Sequence, residues 1–135
     1  NFGGWAREFR PVYGPLEAGL NRFIAYGKDA DFIGKSAAVS ERNSGGKLRL
    51  RAFTVAAIDA DVIGDEPIWH DGEVVGWVTS GGYAHNAGQS VAMGYVAKEV
   101  ADSEGPWAIE LLGEKLDAKP QHAPLFDANF ERMRG

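Results

Sequence analysis

The chain has 135 residues, an apolar fraction of 44% and a net charge of −5, which suits one packed globular domain, or one small domain with part of another. The negative balance argues against a nucleic-acid surface, which needs clustered cations, and no apolar run approaches the length that spans a bilayer. There is no cysteine, so disulfides, thiolate catalysis and cysteine-bound metals are excluded.

The first stretch, to Gly14, is rich in glycine and aromatics: Phe2, Trp5, Phe9 and Tyr13, interrupted by Arg7, Glu8 and Arg10. It reads as irregular chain whose large side chains either pack on their own domain or line a ligand site or the edge of a further domain. The start at Asn1, without a methionine, is expected of a piece of a longer protein. Pro15 opens a short helical turn to Leu20, and Asn21–Tyr26 reads as extended. A helix is expected over Asp31–Arg42, with Asp31 as its N-cap, Phe32, Ile33, Ala37 and Ala38 as its apolar stripe, and Asn43–Gly46 as its stop.

From Lys47 the pattern changes to strands. Leu48, Leu50 and Ala52 alternate with Lys47, Arg49 and Arg51, and from Phe53 to Ile58 both faces become apolar. An acidic loop, Asp59–Asp65, leads to the clearest hairpin signal. Asp71-Gly72 lies between two β-rich runs within Glu66–Tyr83 and suits a tight turn of positive φ. Ser90–Val96 is another strand, with Gly94 at a bulge or a close approach. Pro106–Leu112 and Glu114–Lys119 form a second hairpin around Gly113, followed by an extended tail with Leu125, Phe126, Phe130 and Met133 available to pack back. The fold class is therefore mainly β: a small antiparallel Greek-key-type barrel of about six strands, preceded by a short α+β segment.

Chemistry is sparse. His70, His85 and His122 lack metal-ligand spacing and read as surface or loop histidines. No metal site and no catalytic residue is assigned. Asp59, Asp61, Asp65 and Glu66 lack the spacing of a calcium loop and read as solvated. Gly81-Gly82 fits neither phosphate-binding glycine pattern. Trp69 and Trp77, on the two strands of the first hairpin, are expected to pack a core, with a stacking platform as the alternative.

Five motifs then occur in order: Pro15-Leu16-Glu17-Ala18-Gly19-Leu20, Asp31-Phe32-Ile33-Gly34-Lys35, Gly64-Asp65-Glu66-Pro67-Ile68, Val75-Gly76-Trp77-Val78-Thr79-Ser80-Gly81-Gly82-Tyr83, and Ser90-Val91-Ala92-Met93-Gly94-Tyr95-Val96. This order resembles the C-terminal part of the glycine cleavage T-protein (aminomethyltransferase) family. Trp5-Ala6-Arg7-Glu8-Phe9 and Pro124-Leu125-Phe126-Asp127 are similar to the branch fused to FAD-dependent dimethylglycine or sarcosine dehydrogenases.

The resemblance implies a tetrahydrofolate-dependent one-carbon transfer, with any FAD held in an upstream domain. It assigns residues 1–45 to the end of a folate-binding domain and 46–135 to a C-terminal β-barrel that closes the site. The family's catalytic aspartate and pterin-binding glutamate belong to regions ahead of Asn1, so the chain alone is expected to be inactive. Lys28 is the nearest match to a folate-contacting basic residue, and Trp5 and Tyr83 are candidates for lining the folate. Implied partners are the upstream folate-binding and FAD domains of the same protein and a small methylamine substrate, with no nucleic acid and no membrane. The implied compartment is the cytoplasm in a bacterium or the mitochondrial matrix in a eukaryote. A T-protein-like scaffold without chemistry, a stand-alone T-protein and a related demethylase are the alternatives.

Overall fold

The computed structural model describes residues 3–134; Asn1, Phe2 and Gly135 lie outside the described residues, as does the side chain of Met133, so the expected packing of Phe2 and Met133 falls there too. Six strands form one closed antiparallel barrel: β1 (Leu48–Val55), β2 (Pro67–His70), β3 (Glu73–Ala84), β4 (Gln89–Ala97), β5 (Trp107–Leu111) and β6 (Glu114–Gln121). The order around the barrel is β1-β4-β3-β2-β5-β6, with β6 closing back on β1. β2, β3 and β4 are joined by hairpins while β1 returns to pair with β4, which is the Greek-key connection expected from the sequence.

Turn chemistry sets the register. Asp71 and Gly72 have φ of 48° and 86°, the two positive angles of a tight turn whose twist matches the strands it joins. The β5–β6 turn repeats this with Leu112 at 51° and Gly113 at 87°. A leucine in the left-handed region costs on the order of 1 kcal/mol, and this one is exposed. The glycine reading of this turn therefore found its second residue and missed its first.

The core is mainly apolar: Phe53, Val55, Val62, Ile68, Val78, Val96, Trp107 and Ile109 are its largest members. Each such side chain contributes about 1.5–3 kcal/mol on burial, so the barrel is held mainly by its own core. The tryptophan of that core is Trp107, its ring 5.4 Å from that of Phe53. Trp69 and Trp77 do not pack the core as expected. In the observed register Trp69 faces Val74 and Trp77 faces Pro67, so they are not a cross-strand pair. Trp69 instead lies under the Lys115 ammonium, 3.1 Å from its centroid, and donates to Glu110. His70 also departs from its expected surface place: it is buried and stacked 4.3 Å from Trp107.

Ahead of the barrel, the helix α1 spans Lys35–Ser44 rather than starting near Asp31. Gly34 has a φ of 89°, which breaks the helical trace, and no side chain caps the start. Ile33 is consequently outside the helix and fully exposed, and only Ala38 of the expected stripe is buried. The predicted stop is observed: Gly45, left-handed, donates to Glu41 O at 2.8 Å. The stretch read as extended, Asn21–Tyr26, begins with a 3-10 turn at Asn21–Phe23. A closed barrel offers it no edge to pair with, and the Tyr26 hydroxyl bonds the Asn21 carboxamide locally. The tail carries one short helix, α2 (Glu131–Arg134), instead of being extended throughout.

Gly94 is a close approach, as one of its two sequence readings had it. A Cβ there would stand 2.6 Å from Ile68 Cδ1 and also collide with the Trp77 carbonyl of the neighbouring strand. Gly94→Ala is predicted to destabilise the barrel by about 1–3 kcal/mol, measured as a lower urea midpoint at unchanged slope. An unchanged midpoint would mean that the β3–β4 contact is looser than described.

Candidate functional site

The segment from Gly4 to Leu20 lies over the outer face of β1, β4 and β3, and a buried carboxylate fixes it there. Gly4 O accepts from the backbone N–H groups of Arg7, Glu8 and Phe9, so the chain makes one helical turn. That turn points the Glu8 side chain into the protein, where the residue is 1% exposed. Its Oε2 accepts from Gly4 N at 2.5 Å, and its Oε1 accepts from the Ser80 hydroxyl at 2.7 Å. The buried Tyr95 hydroxyl donates to the Glu8 carbonyl at 2.7 Å. Tyr13 stacks on Tyr95 at 3.8 Å.

A bulge in β3 makes this fit possible. Val78 pairs with Gly94 and Ser80 with Met93, so Thr79 is the extra residue. The kink directs the Thr79 carbonyl outward, where Arg7 Nη1 donates to it at 3.2 Å. It also aims Ser80 at Glu8. The Thr79 hydroxyl donates to Met93 O at 3.0 Å.

Two further glutamates extend the attachment. Glu17 Oε1 accepts from the N–H groups of Lys47 and Leu48, at 2.7 and 3.1 Å, where the chain enters β1. Glu41 of α1 accepts from Leu16 N and Glu17 N, capping the Pro15 turn. Burial alone would raise the carboxyl pKa of Glu8. The neighbouring Thr79 hydroxyl dipole and the hydrogen bonds from Gly4 N–H and Ser80 outweigh it and hold the value below the ordinary range. Glu17 behaves alike: burial raises its pKa, and the N–H groups of Lys47, Leu48 and Gly14, with the Arg49 charge, bring it down. Burial, with Tyr13 and Glu17 as neighbours, pushes the Tyr95 phenol above its usual range and keeps it a donor.

Beside the Glu8 attachment opens a cleft of about 280 Å³ lined by Ala6, Arg7, Arg10, Tyr13, Asp65, Trp77 and Thr79. Two guanidinium groups against one carboxylate give it a cationic balance, and Trp77 is partly exposed on its wall. Such a set suits an anionic group attached to a flat ring. It contains no nucleophile–base pair, and no group of potential metal ligands occurs among the described residues.

The three residues named from the sequence are not gathered into this cleft. Trp5 is 82% exposed on the same turn as Glu8. Lys28 lies in the exposed loop before α1, its carbonyl accepting from Lys35 Nζ at 2.6 Å. Tyr83, near the end of β3, lines a neighbouring cleft with Ser80, Val91 and Met93 and meets His85 edge to face at 5.1 Å. Sequence reasoning passed over Glu8, Arg7 and Arg10. The available signal was three charges inside an aromatic stretch. Glu66, read as solvated, closes its own loop by accepting from Ile63 N and Gly64 N at 2.8 and 2.7 Å.

Residues 49–127 match the glycine cleavage T-protein C-terminal barrel domain. Over 133 residues the chain is 40% identical to the mitochondrial dimethylglycine dehydrogenase of Mus musculus, covering 98% of this chain and 15% of that protein. It is 31% identical over 123 residues to the aminomethyltransferase of Moorella thermoacetica, covering 90% of this chain and 33% of that one. Among solved structures, the glycine cleavage system aminomethyltransferase T of Bartonella henselae superposes with a TM-score of 0.74 at 22% identity, over 84% of this chain and 32% of that one. The chain thus spans about a sixth to a third of the curated relatives it matches.

Because the folded-state pKa of Glu8 lies below the ordinary carboxyl value, its stabilising contribution is full above that value and is lost as pH falls through the folded one. Glu8→Ala is expected to cost about 1–3 kcal/mol at neutral pH, since it strands the Gly4 and Ser80 donors. In an acid titration followed by circular dichroism, the variant should lose less stability below pH ~4 than the parent. Parallel acid limbs would show that the Glu8 carboxylate is not held as described.

Proposed function

Since the chain belongs to the glycine cleavage T-protein C-terminal barrel family, we propose that it is the closing module of a tetrahydrofolate-dependent aminomethyltransferase-like enzyme, the folate half of a dimethylglycine or sarcosine dehydrogenase. The observation that carries this reading is the 40% identity to dimethylglycine dehydrogenase over nearly the whole chain, including the turn that holds Glu8. Residues 1–45 are then the end of the folate-binding domain, and 46–135 the barrel. The Glu8 and Glu17 contacts cross between the two parts, and Glu41 braces the Glu17 turn from within the first.

Tetrahydrofolate combines flat rings with a carboxylate tail. The Arg7, Arg10, Tyr13 and Trp77 cleft fits that chemistry, with guanidinium groups for the carboxylate and aromatic faces for the rings. Trp5, Lys28 and Tyr83, which lie outside this cleft, are further folate contacts, made when the preceding part of the polypeptide is in place. When bound, the folate supplies the acceptor for a one-carbon unit. This chain's residues orient it and exclude water, by proximity rather than by acid–base chemistry. The acid–base and pterin-binding groups come from the preceding part of the polypeptide, as does any FAD domain, so the 135 residues alone are inactive. A length covering 15% of the dehydrogenase supports such upstream partners. The substrate is a small N-methylated amine. The mitochondrial relatives support the matrix as its compartment in a eukaryote, with the cytoplasm as the bacterial counterpart. Among the described residues no helix is long and apolar enough to cross a membrane.

Titration calorimetry of the full-length protein with tetrahydrofolate tests this. Binding is expected in the full-length protein, with a loss of about tenfold in Arg10→Ala, the equivalent of one charged contact of roughly 1.4 kcal/mol. A full-length protein that does not bind tetrahydrofolate would overturn the enzyme reading in favour of a scaffold.

A further inference from the structure

We infer that the far end of the barrel carries a docking cleft for a separate protein segment that presents an aliphatic or aromatic side chain flanked by lysine or arginine. The cleft, of about 310 Å³, lies between the chain leaving β1 and the β5–β6 turn. Ala56, Ile58, Leu112 and Leu116 supply its apolar lining, and Asp59 and Glu114 its charges.

Ile58 and Leu112 are 93% and 87% exposed. Leucine is a poor choice at Leu112, whose φ of 51° favours glycine or asparagine. Strain at an exposed residue that contributes nothing to the core marks a site kept for another purpose. Both charged residues lining the cleft are acidic. The next side chain, Lys115, is turned away over the Trp69 ring, and Asp61 adds a further carboxylate to the same loop. An apolar lining with an acidic rim complements a cationic, apolar segment. The same rim repels a second copy of itself.

The segment ahead of the barrel leaves the cleft open: none of its residues lines it. Glu17 attaches at the start of β1, by Lys47 and Leu48, and the end of α1 attaches beside it through Lys98, just past β4. The cleft lies past Val55 at the other end, roughly 25 Å along an eight-residue strand.

The probe is a dye-labelled hexapeptide of two lysines, leucine, phenylalanine and two lysines, titrated into the full-length protein by fluorescence anisotropy. Saturable binding is expected, at least about tenfold weaker for the counterpart with glutamates in place of the lysines. Leu112→Asn should weaken the lysine peptide by about tenfold while the melting temperature stays level or rises, because asparagine accepts the left-handed turn. Glu114→Lys, on the rim, should weaken it by a similar factor. A lower melting temperature for Leu112→Asn would assign that leucine to the protein's own packing and overturn the inference. So would equal binding of both peptides. Absence of binding would overturn it as well. Light scattering showing a dimer that Leu112→Asn dissolves would assign the cleft to a second copy instead.

Discussion

Burying a carboxylate is costly unless its oxygens are met by donors, and the placement of the first stretch ahead of the barrel, Gly4 to Tyr13, follows from how Glu8 meets that condition. Its two oxygens need the Gly4 N–H on one side and the Ser80 hydroxyl on the other. The first requirement coils the chain from Gly4 to Phe9 into a turn. The second ties that turn to β3, and the Tyr95 bond to the Glu8 carbonyl ties it to β4. With Glu8 seated, Arg7 reaches the Thr79 carbonyl, Tyr13 covers Tyr95, and the Arg10 cleft takes its shape.

Two forces therefore act on different parts of the molecule. The barrel is closed by apolar burial, with Trp107, Phe53 and Ile109 at its centre. The overlying segment is held by polar groups whose worth depends on mutual satisfaction, so it is the part most sensitive to acid and to the loss of one donor. The bulge at Thr79 links the two. It belongs to the barrel's register, yet its consequence is the presentation of Ser80 and the Thr79 carbonyl to the overlying segment. A binding site formed across such a junction is pre-shaped by the barrel and completed by the segment.

Much of the barrel was legible in the sequence, because its signals are local. Asp71-Gly72 marks a turn that only positive φ allows, and Gly94 stands where two backbones meet. What was not legible depends on partners distant in the chain. Leu112 adopts a conformation its side chain disfavours, so no turn signal marks it. Asp31 offers a good cap, but the left-handed Gly34 starts the helix later. Trp69 and Trp77 look like core residues until the register sends them outward, while His70 is drawn inward by the face of Trp107. Glu8 is the plainest case. Beside two arginines it reads as a surface charge, and only the fold brings Ser80, 72 residues later, to its carboxylate.

In the folate reading, the junction held by Glu8 is one wall of a site whose reacting groups lie elsewhere in the polypeptide. The most direct measurement is amide hydrogen exchange of the full-length protein with and without tetrahydrofolate. Protection is predicted to rise over residues 4–13 and 79–83, on both sides of the Glu8 contact, when the folate is added. Protection that rises only ahead of these 135 residues, with the junction unchanged, would contradict the account.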